Sequence, residues 1–179
     1  TERYRPSTLD QVKTERNQVL LETIQANPKH MPHLLLYGSP GTGKTSTALA
    51  IAQEVFRPED RPSFVKFLNA SDKRGIDVVR GPITDFCEGS GLRLSKGPTY
   101  PYKLLILDEA DAMTPDAQFD LRHKMEAHAH HIRFCFIANY ITKIHPAIRS
   151  RCTAMRFPPV PKPMVLAQIE RIQAEENVK

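Results

Sequence analysis

Eight consecutive residues, Gly38-Ser39-Pro40-Gly41-Thr42-Gly43-Lys44-Thr45, have the types and spacing G-x-x-x-x-G-K-[ST]. That pattern suits a loop that holds phosphate. Gly38, Gly41 and Gly43 let the backbone curl until its N–H groups point at phosphate oxygens. A helix beginning after Gly43 adds the partial positive charge of its N-terminus. Lys44 has the reach for β- and γ-phosphates, Ser46 opens the helix behind it, and the Thr45 hydroxyl is a ligand for Mg²⁺. The competing reading is an ordinary glycine-rich turn. All four fixed positions and the flanking pattern favour the phosphate loop.

A second group of candidates lies downstream. Leu104-Leu105-Ile106-Leu107 runs into Asp108-Glu109. Two carboxylates at the end of a buried strand are costly unless a counter-ion or proton accompanies them. Asp108 suits Mg²⁺, directly or through water, and Glu109 suits the activation of a water. An acidic pair at a helix start is the plainer alternative. Asn139 closes another strand-like stretch, Arg133 to Ala138, apolar from Phe134 onward. Its amide either orients the attacking water or a γ-phosphate, or simply ends a strand in a turn. Spacing leaves both open. Arg151, between Ser150 and Cys152, reads by itself as a solvated charge at a helix end.

The elements that must position these residues alternate. Leu34–Tyr37, Phe64–Leu68, Leu104–Glu109, Arg133–Asn139 and Ala154–Phe157 read as strands. Helices are expected after Thr14, from Ser46 to about Phe56, from about Ile76 to Cys87, from Thr114-Pro115 through Phe119 to Met125, and near Ile141 to Ser150. Gly81-Pro82 predicts a kink or break in the third of these. Strands alternating with helices imply an α/β fold with a five-stranded, mostly parallel sheet. Ligands in such sheets bind at the carboxyl ends of strands, where Gly38, Asp108 and Asn139 fall. Pro158-Pro159-Val160-Pro161-Lys162-Pro163 reads as a linker, and Met164 to Val178 as an amphipathic helix beginning a second domain.

The 179 residues are 40% hydrophobic, enough to pack a core, and carry a net charge of +5, which permits an anionic partner without identifying one. No apolar run approaches the length of a membrane span, so no membrane partner is expected. Thr1-Glu2-Arg3-Tyr4-Arg5-Pro6 is too polar and charged for a signal peptide. Cys87, Cys135 and Cys152 read as reduced thiols of an intracellular protein. His123, His128, His130 and His131 cluster, but a polar helix end and loop explain them more cheaply than a metal.

Taken in order, Tyr4-Arg5-Pro6, Pro32-His33-Leu34-Leu35-Leu36-Tyr37-Gly38, Asn69-Ala70-Ser71-Asp72, Arg74-Gly75-Ile76-Asp77, Leu107-Asp108-Glu109-Ala110-Asp111-Ala112-Met113-Thr114, Arg133-Phe134-Cys135 and Ser150-Arg151-Cys152 resemble the small subunits of replication factor C. These are clamp loaders of the AAA+ type within the P-loop NTPases. The resemblance runs from Tyr4 to about Phe157. Arg80-Gly81-Pro82-Ile83 looks nearest to the eukaryotic subunit type called five in human and three in yeast.

The resemblance implies an ATPase with ATP and Mg²⁺ as cofactors, working in the nucleus during DNA replication and repair. It implies a heteropentamer with other replication factor C subunits that opens the PCNA sliding clamp and closes it on primer-template DNA. It places the AAA+ domain at 1–158 and a linker with the first helix of a lid domain, cut short, at 159–179. The sensor-II arginine and the collar domain fall beyond Lys179. By the same resemblance Arg151 acts in trans on ATP held by a neighbour, and Asn139 matches sensor I. Arg3, Tyr4, Arg5 and Pro6 lie near the adenine, with Val12 a wall of its pocket. Arg74, Arg80 and Arg122 are candidates for sequence-independent DNA phosphate contacts, with Lys73 behind them. Each is otherwise a solvated surface charge, and the sequence leaves the two readings level. The helix near Ala117 to Lys124 and the loop Glu88 to Pro101 are candidates for the clamp surface. Ser39 stands where proline is usual, and His123 where arginine is usual. Two alternative functions are another AAA+ DNA remodeller and a nucleotide-binding structural subunit with little turnover of its own.

Overall fold

The computed structural model of the chain describes residues 8–12, 17–71, 79–89 and 102–176. Among them five strands form one sheet: β1 (Leu34–Gly38), β2 (Val65–Asn69), β3 (Lys103–Asp108), β4 (Ile132–Ala138) and β5 (Thr153–Phe157), in the spatial order β2-β3-β4-β1-β5. All four pairings are parallel, so the expected mostly parallel sheet is parallel throughout. The register sets Leu34 opposite Cys135 and Thr153, Gly38 opposite Phe157, and Asn69 opposite Asp108.

Consecutive apolar residues in the central strands serve two cores, because successive side chains leave opposite faces. Leu34, Leu36, Leu104, Ile106, Cys135 and Ile137 enter one core. There they meet α1 (Leu9–Val12), α2 (Gln18–Ala26) and α3 (Lys44–Val55) through Leu9, Leu21, Ile24, Ala48 and Ile51. Leu35, Leu105, Leu107, Phe134 and Phe136 enter the other. The helices there are α5 (Thr84–Glu88), α6 (Pro115–His128) and α7 (Pro146–Arg149), with Cys87, Leu121, Met125 and Ile148 among the packed residues. A one-turn helix α4 (Arg61–Phe64) leads into β2, and α8 (Lys162–Glu176) closes the described chain. No helix among the described residues is long and apolar enough to cross a membrane.

Several boundaries differ from those expected. The helix placed after Thr14 is described from Gln18, and Thr14 lies outside the described residues. Leu9–Val12 is a helical turn that no periodicity announced. Phe64 belongs to α4 rather than to β2. The break at Gly81-Pro82 takes the form of a π-helical turn, Val79–Ile83, ahead of α5. A wider turn is one way to seat a proline, which lacks the N–H that an α-turn uses. The single helix expected over 141–150 is a 3₁₀ turn, Ile141–Lys143, and a separate α7 whose first residue is Pro146. The proline linker ends earlier than expected. Lys162 and Pro163 open α8, since proline is tolerated in a first helical turn, where its missing N–H has no partner to lose.

His33 precedes β1 and fixes its approach to β4. Its Nδ1 accepts the Phe134 N–H at 3.1 Å, and the ring stands edge-on to Phe134. Burial, helped by the Arg133 guanidinium, pulls its pKa from 6.5 to about 4. A base with a depressed pKa in the folded state must stay neutral there, whereas the unfolded chain takes up its proton below pH 6.5. The neutral ring's contribution is therefore complete above pH 6.5 and lost as pH falls toward 4. Allowing for partial exposure of the ring, the loss is on the order of 2 kcal/mol. Denaturant unfolding at pH 7 and pH 4.5 should show a smaller loss of stability in His33→Phe than in the parent; equal losses would assign the acid sensitivity elsewhere.

Candidate active site

The carboxyl ends of β1, β3 and β4 lie side by side, and the residues leaving them build the site. From β1 the chain turns at Gly38 with φ of 142°, and Gly41 and Gly43 also take left-handed φ values of 73° and 90°. Gly38 has a further constraint. A Cβ on it would lie 2.0 Å from the Phe157 carbonyl oxygen of the paired strand β5. Gly38→Ala must therefore pry β1 from β5 or move the loop, at about 3 kcal/mol. For a chain of this size that is a fall of about 6–12 °C in Tm by calorimetry, and an unchanged Tm would contradict the geometry.

Gly43 caps α3, and its carbonyl accepts the Thr47 N–H at 2.8 Å and the Thr47 hydroxyl at 3.0 Å. The Thr42 hydroxyl donates to the Ser39 carbonyl at 2.8 Å, bracing the exposed Ser39-Pro40 tip. Lys44 is only 6% exposed. Its Nζ donates to the carbonyls of Gly38 at 2.8 Å and Ser39 at 2.7 Å, so the ammonium is folded into the mouth of the loop. Burial lowers its pKa, while the carboxylates of Asp108 and Asp111 oppose the shift. Ser46, half-buried, follows in the first turn of α3.

The Thr45 hydroxyl donates to Asp108 Oδ2 at 2.9 Å. Two oxygen ligands of the kind Mg²⁺ prefers, 63 residues apart in sequence, are thus adjacent at the foot of the loop. This donor set, beside a buried ammonium and left-handed glycines, fits a magnesium–nucleotide phosphate. Glu109 is exposed beside it, its N–H donating to Asp108 Oδ1 at 2.9 Å. It holds φ of 53° and ψ of 38°, and is the non-glycine residue with positive φ among those described. A left-handed conformation costs an ordinary residue about 1–2 kcal/mol, a strain that tends to persist where function requires it.

Asp111 ties the third strand end to the fourth. Its Oδ2 accepts the backbone N–H groups of Asn139 at 3.2 Å and Tyr140 at 3.0 Å. Asn139 is half-buried at that corner. Gln118, 5% exposed on α6, bridges the next segments. Its Nε2 donates to the carbonyls of Met113 at 3.3 Å and Lys143 at 2.9 Å, and its Oε1 accepts the His145 N–H at 2.7 Å. The chain that carries Asp108 is thereby joined to the chain that leads through α7 to Arg151. Arg151 is exposed; Nη1 donates to the Ala147 carbonyl at 2.7 Å and Nη2 to Glu126 Oε1 at 2.5 Å.

The family model described as the ATPase family associated with various cellular activities (AAA) matches residues 34–160. The chain belongs to the AAA ATPase family. Its match begins at β1 and ends just past β5, covering the sheet and every residue of the loop. This AAA chain is 48% identical over 179 residues to human replication factor C subunit 5, covering 99% of the chain and 51% of that protein. It is 47% identical over 182 residues to the probable replication factor C subunit 5 of Caenorhabditis elegans, covering 99% and 50%. It is 46% identical over 180 residues to replication factor C subunit 2 of Schizosaccharomyces pombe, covering 99% and 52%. The AAA chain therefore spans about half the length of the curated relatives it matches. Among solved structures it is similar to the RuvB Holliday junction branch migration motor of Thermotoga maritima, with a TM-score of 0.70 at 18% identity over 98% of this chain and 55% of that one. At that identity the likeness supports the fold alone.

The structure brings Gly38 to Ser46, Asp108, Glu109 and Asn139 to one end of the AAA sheet, as the strand ends suggested. Val12 is half-buried on α1, packed against the core that α3 shares. Arg3, Tyr4, Arg5 and Pro6 lie outside the described residues, as do Lys73 and Arg74. Arg80 falls in the π-helical turn, its side chain outside the description. Arg122 stands on α6 with its guanidinium 5.1 Å from the centre of the Phe119 ring. Sequence reasoning gave no role to Asp111, Gln118 or Glu126. Gln118 did leave a signal, a polar residue on the buried face of α6 beside Ala117, Leu121 and Met125.

Proposed function

We propose that this AAA chain binds and hydrolyses ATP as a small subunit of a replication factor C-type clamp loader. The complex would open the PCNA sliding clamp and close it on primer-template DNA in the nucleus. The observation that carries the reading is the Thr45–Asp108 hydrogen bond at the foot of a loop whose lysine is buried. Near-50% identity to replication factor C subunits over nearly the whole chain supports the choice among AAA functions.

In this reading the N–H groups between Gly38 and Lys44 and the Lys44 ammonium hold the β- and γ-phosphates. Thr45 and Asp108 would hold Mg²⁺, which would neutralise phosphate charge. Glu109, held outward by its left-handed backbone, accepts the proton of the attacking water. Asn139 orients that water or the γ-phosphate, its position fixed by Asp111. Arg3, Tyr4, Arg5, Pro6 and Val12 surround the adenine. Arg151, exposed in the turn before β5, serves the ATP of an adjacent subunit. Arg122, with Arg74 and Arg80, meets DNA phosphates, so binding is independent of sequence and weakens with salt. Lys162–Glu176 is the first helix of a lid domain, its exposed Val165, Leu166 and Ile169 offering an apolar surface for the rest of that domain.

The test is capture of the clamp by the complex assembled with the full-length chain. Retention of PCNA with ATP and its loss without nucleotide is the expected result. ATP binding with no clamp retained would favour another AAA remodeller, and clamp retention indifferent to nucleotide would favour a structural subunit.

A further inference from the structure

Glu126 lies on α6 one turn after Arg122 and faces the segment between α7 and β5. Its Oε1 receives Arg151 Nη2 at 2.5 Å and stands 3.5 Å from Arg122 Nε. Arg122 Nε is buried and has no hydrogen-bond partner among the described residues, so this carboxylate oxygen is the anionic atom it faces. One oxygen thus serves two guanidiniums, from two segments about 30 residues apart. We infer that Glu126 is a positioning residue that aims Arg151 and, by sharing one carboxylate oxygen with Arg122, couples that aim to occupancy of Arg122 by a phosphate.

The coupling follows from charge. With Arg122 leaning on it, the Glu126 carboxylate divides its attraction between two cations. A phosphate that takes up Arg122 leaves Oε1 to Arg151 alone, while the other oxygen, Oε2, stands 3.9 Å from His123 Nδ1. Arg151 is then held from two sides, by Glu126 on α6 and by the Ala147 carbonyl on α7. The side chains of Arg151 and Glu126 are both 39% exposed, and that of Arg122 29%, so all three remain within reach of partners. An isolated surface ion pair adds little to stability. The consequence belongs instead to orientation, where a small misplacement of a charged group costs a large factor in rate.

This inference rests on the assignments of Arg151 and Arg122 made under the proposed function, and the experiment separates the two. ATP turnover is measured in the complex built with the full-length chain, with and without primed DNA. Glu126→Gln keeps the shape and removes the charge; it should lower DNA-stimulated turnover about tenfold and shrink the ratio of stimulated to unstimulated rates. Glu126→Asp, which restores the charge, should recover most of the loss. In an Arg151→Ala background Glu126→Gln should add nothing, which a merely structural role would not produce. If Arg151→Ala slows turnover while Glu126→Gln behaves as the parent, or if the two losses multiply, the inference is overturned and the function stands. If Arg151→Ala itself changes nothing, the assignment of Arg151 fails, and this inference with it.

Discussion

Replacing Lys44 with alanine is expected to abolish nucleotide binding by this chain. Hydrogen bonds to charged groups contribute about 1.5–3 kcal/mol each. Removing an ammonium from two phosphate oxygens therefore costs at least about 3 kcal/mol, or about 100-fold or more in affinity. The structure makes the effect separable from unfolding. Nζ contacts only the Gly38 and Ser39 carbonyls among the hydrogen bonds described, and the cost of burying its charge, which lowers its pKa, offsets most of what those two bonds contribute. The apo variant should thus unfold within a few degrees of the parent. ATP at 100 times the parental Kd should stabilise the parent by about 2.7 kcal/mol and the variant by almost nothing. Thermal unfolding with and without ATP reads both quantities. Equal stabilisation of parent and variant would remove the phosphate-loop assignment.

Arg151→Ala is expected to act elsewhere. Arg151 is exposed, and its described partners are Glu126 and the Ala147 carbonyl, none of them part of the loop. This chain's own ATP affinity should stay within about twofold. Turnover at the adjacent subunit's site should fall by about 10³, the scale on which an arginine offsets transition-state charge in phosphoryl transfer, equivalent to about 4 kcal/mol of barrier. Single-turnover hydrolysis in a complex where only the adjacent site binds ATP measures it. A loss of binding at this chain's own site, with the neighbour unaffected, would place Arg151 in cis and contradict the assignment.

What the sequence made legible was local or periodic. Leu34-Leu35-Leu36 announced a buried strand and Leu104-Leu105-Ile106-Leu107 one buried on both faces, and in each alternate residues do enter separate cores. The glycine spacing announced the loop, and the carboxylate after β3 announced a partner for it; the Thr45–Asp108 bond joins the two. What stayed hidden depends on contacts between distant segments. Asp111 meets the N–H groups of Asn139 and Tyr140, Gln118 meets Lys143 and His145, and Glu126 meets Arg151. No spacing rule relates these positions, because each pair is set by how α6 and the strand ends pack. Proline misled at one place and informed at others. Pro163 was taken as a barrier to helix when a first turn accepts it, whereas Pro115 and the kink at Pro82 fell where proline chemistry put them.

The central claim is that a complex containing this chain uses ATP to place a clamp on DNA. The most direct measurement is loading of labelled PCNA onto primed circular DNA by the reconstituted complex, with and without the full-length chain and with and without ATP. Loading that requires both is the predicted result, with Lys44→Ala substituting poorly for the parent. Loading at the same rate when the chain is omitted, or when ATP is withheld, would contradict it.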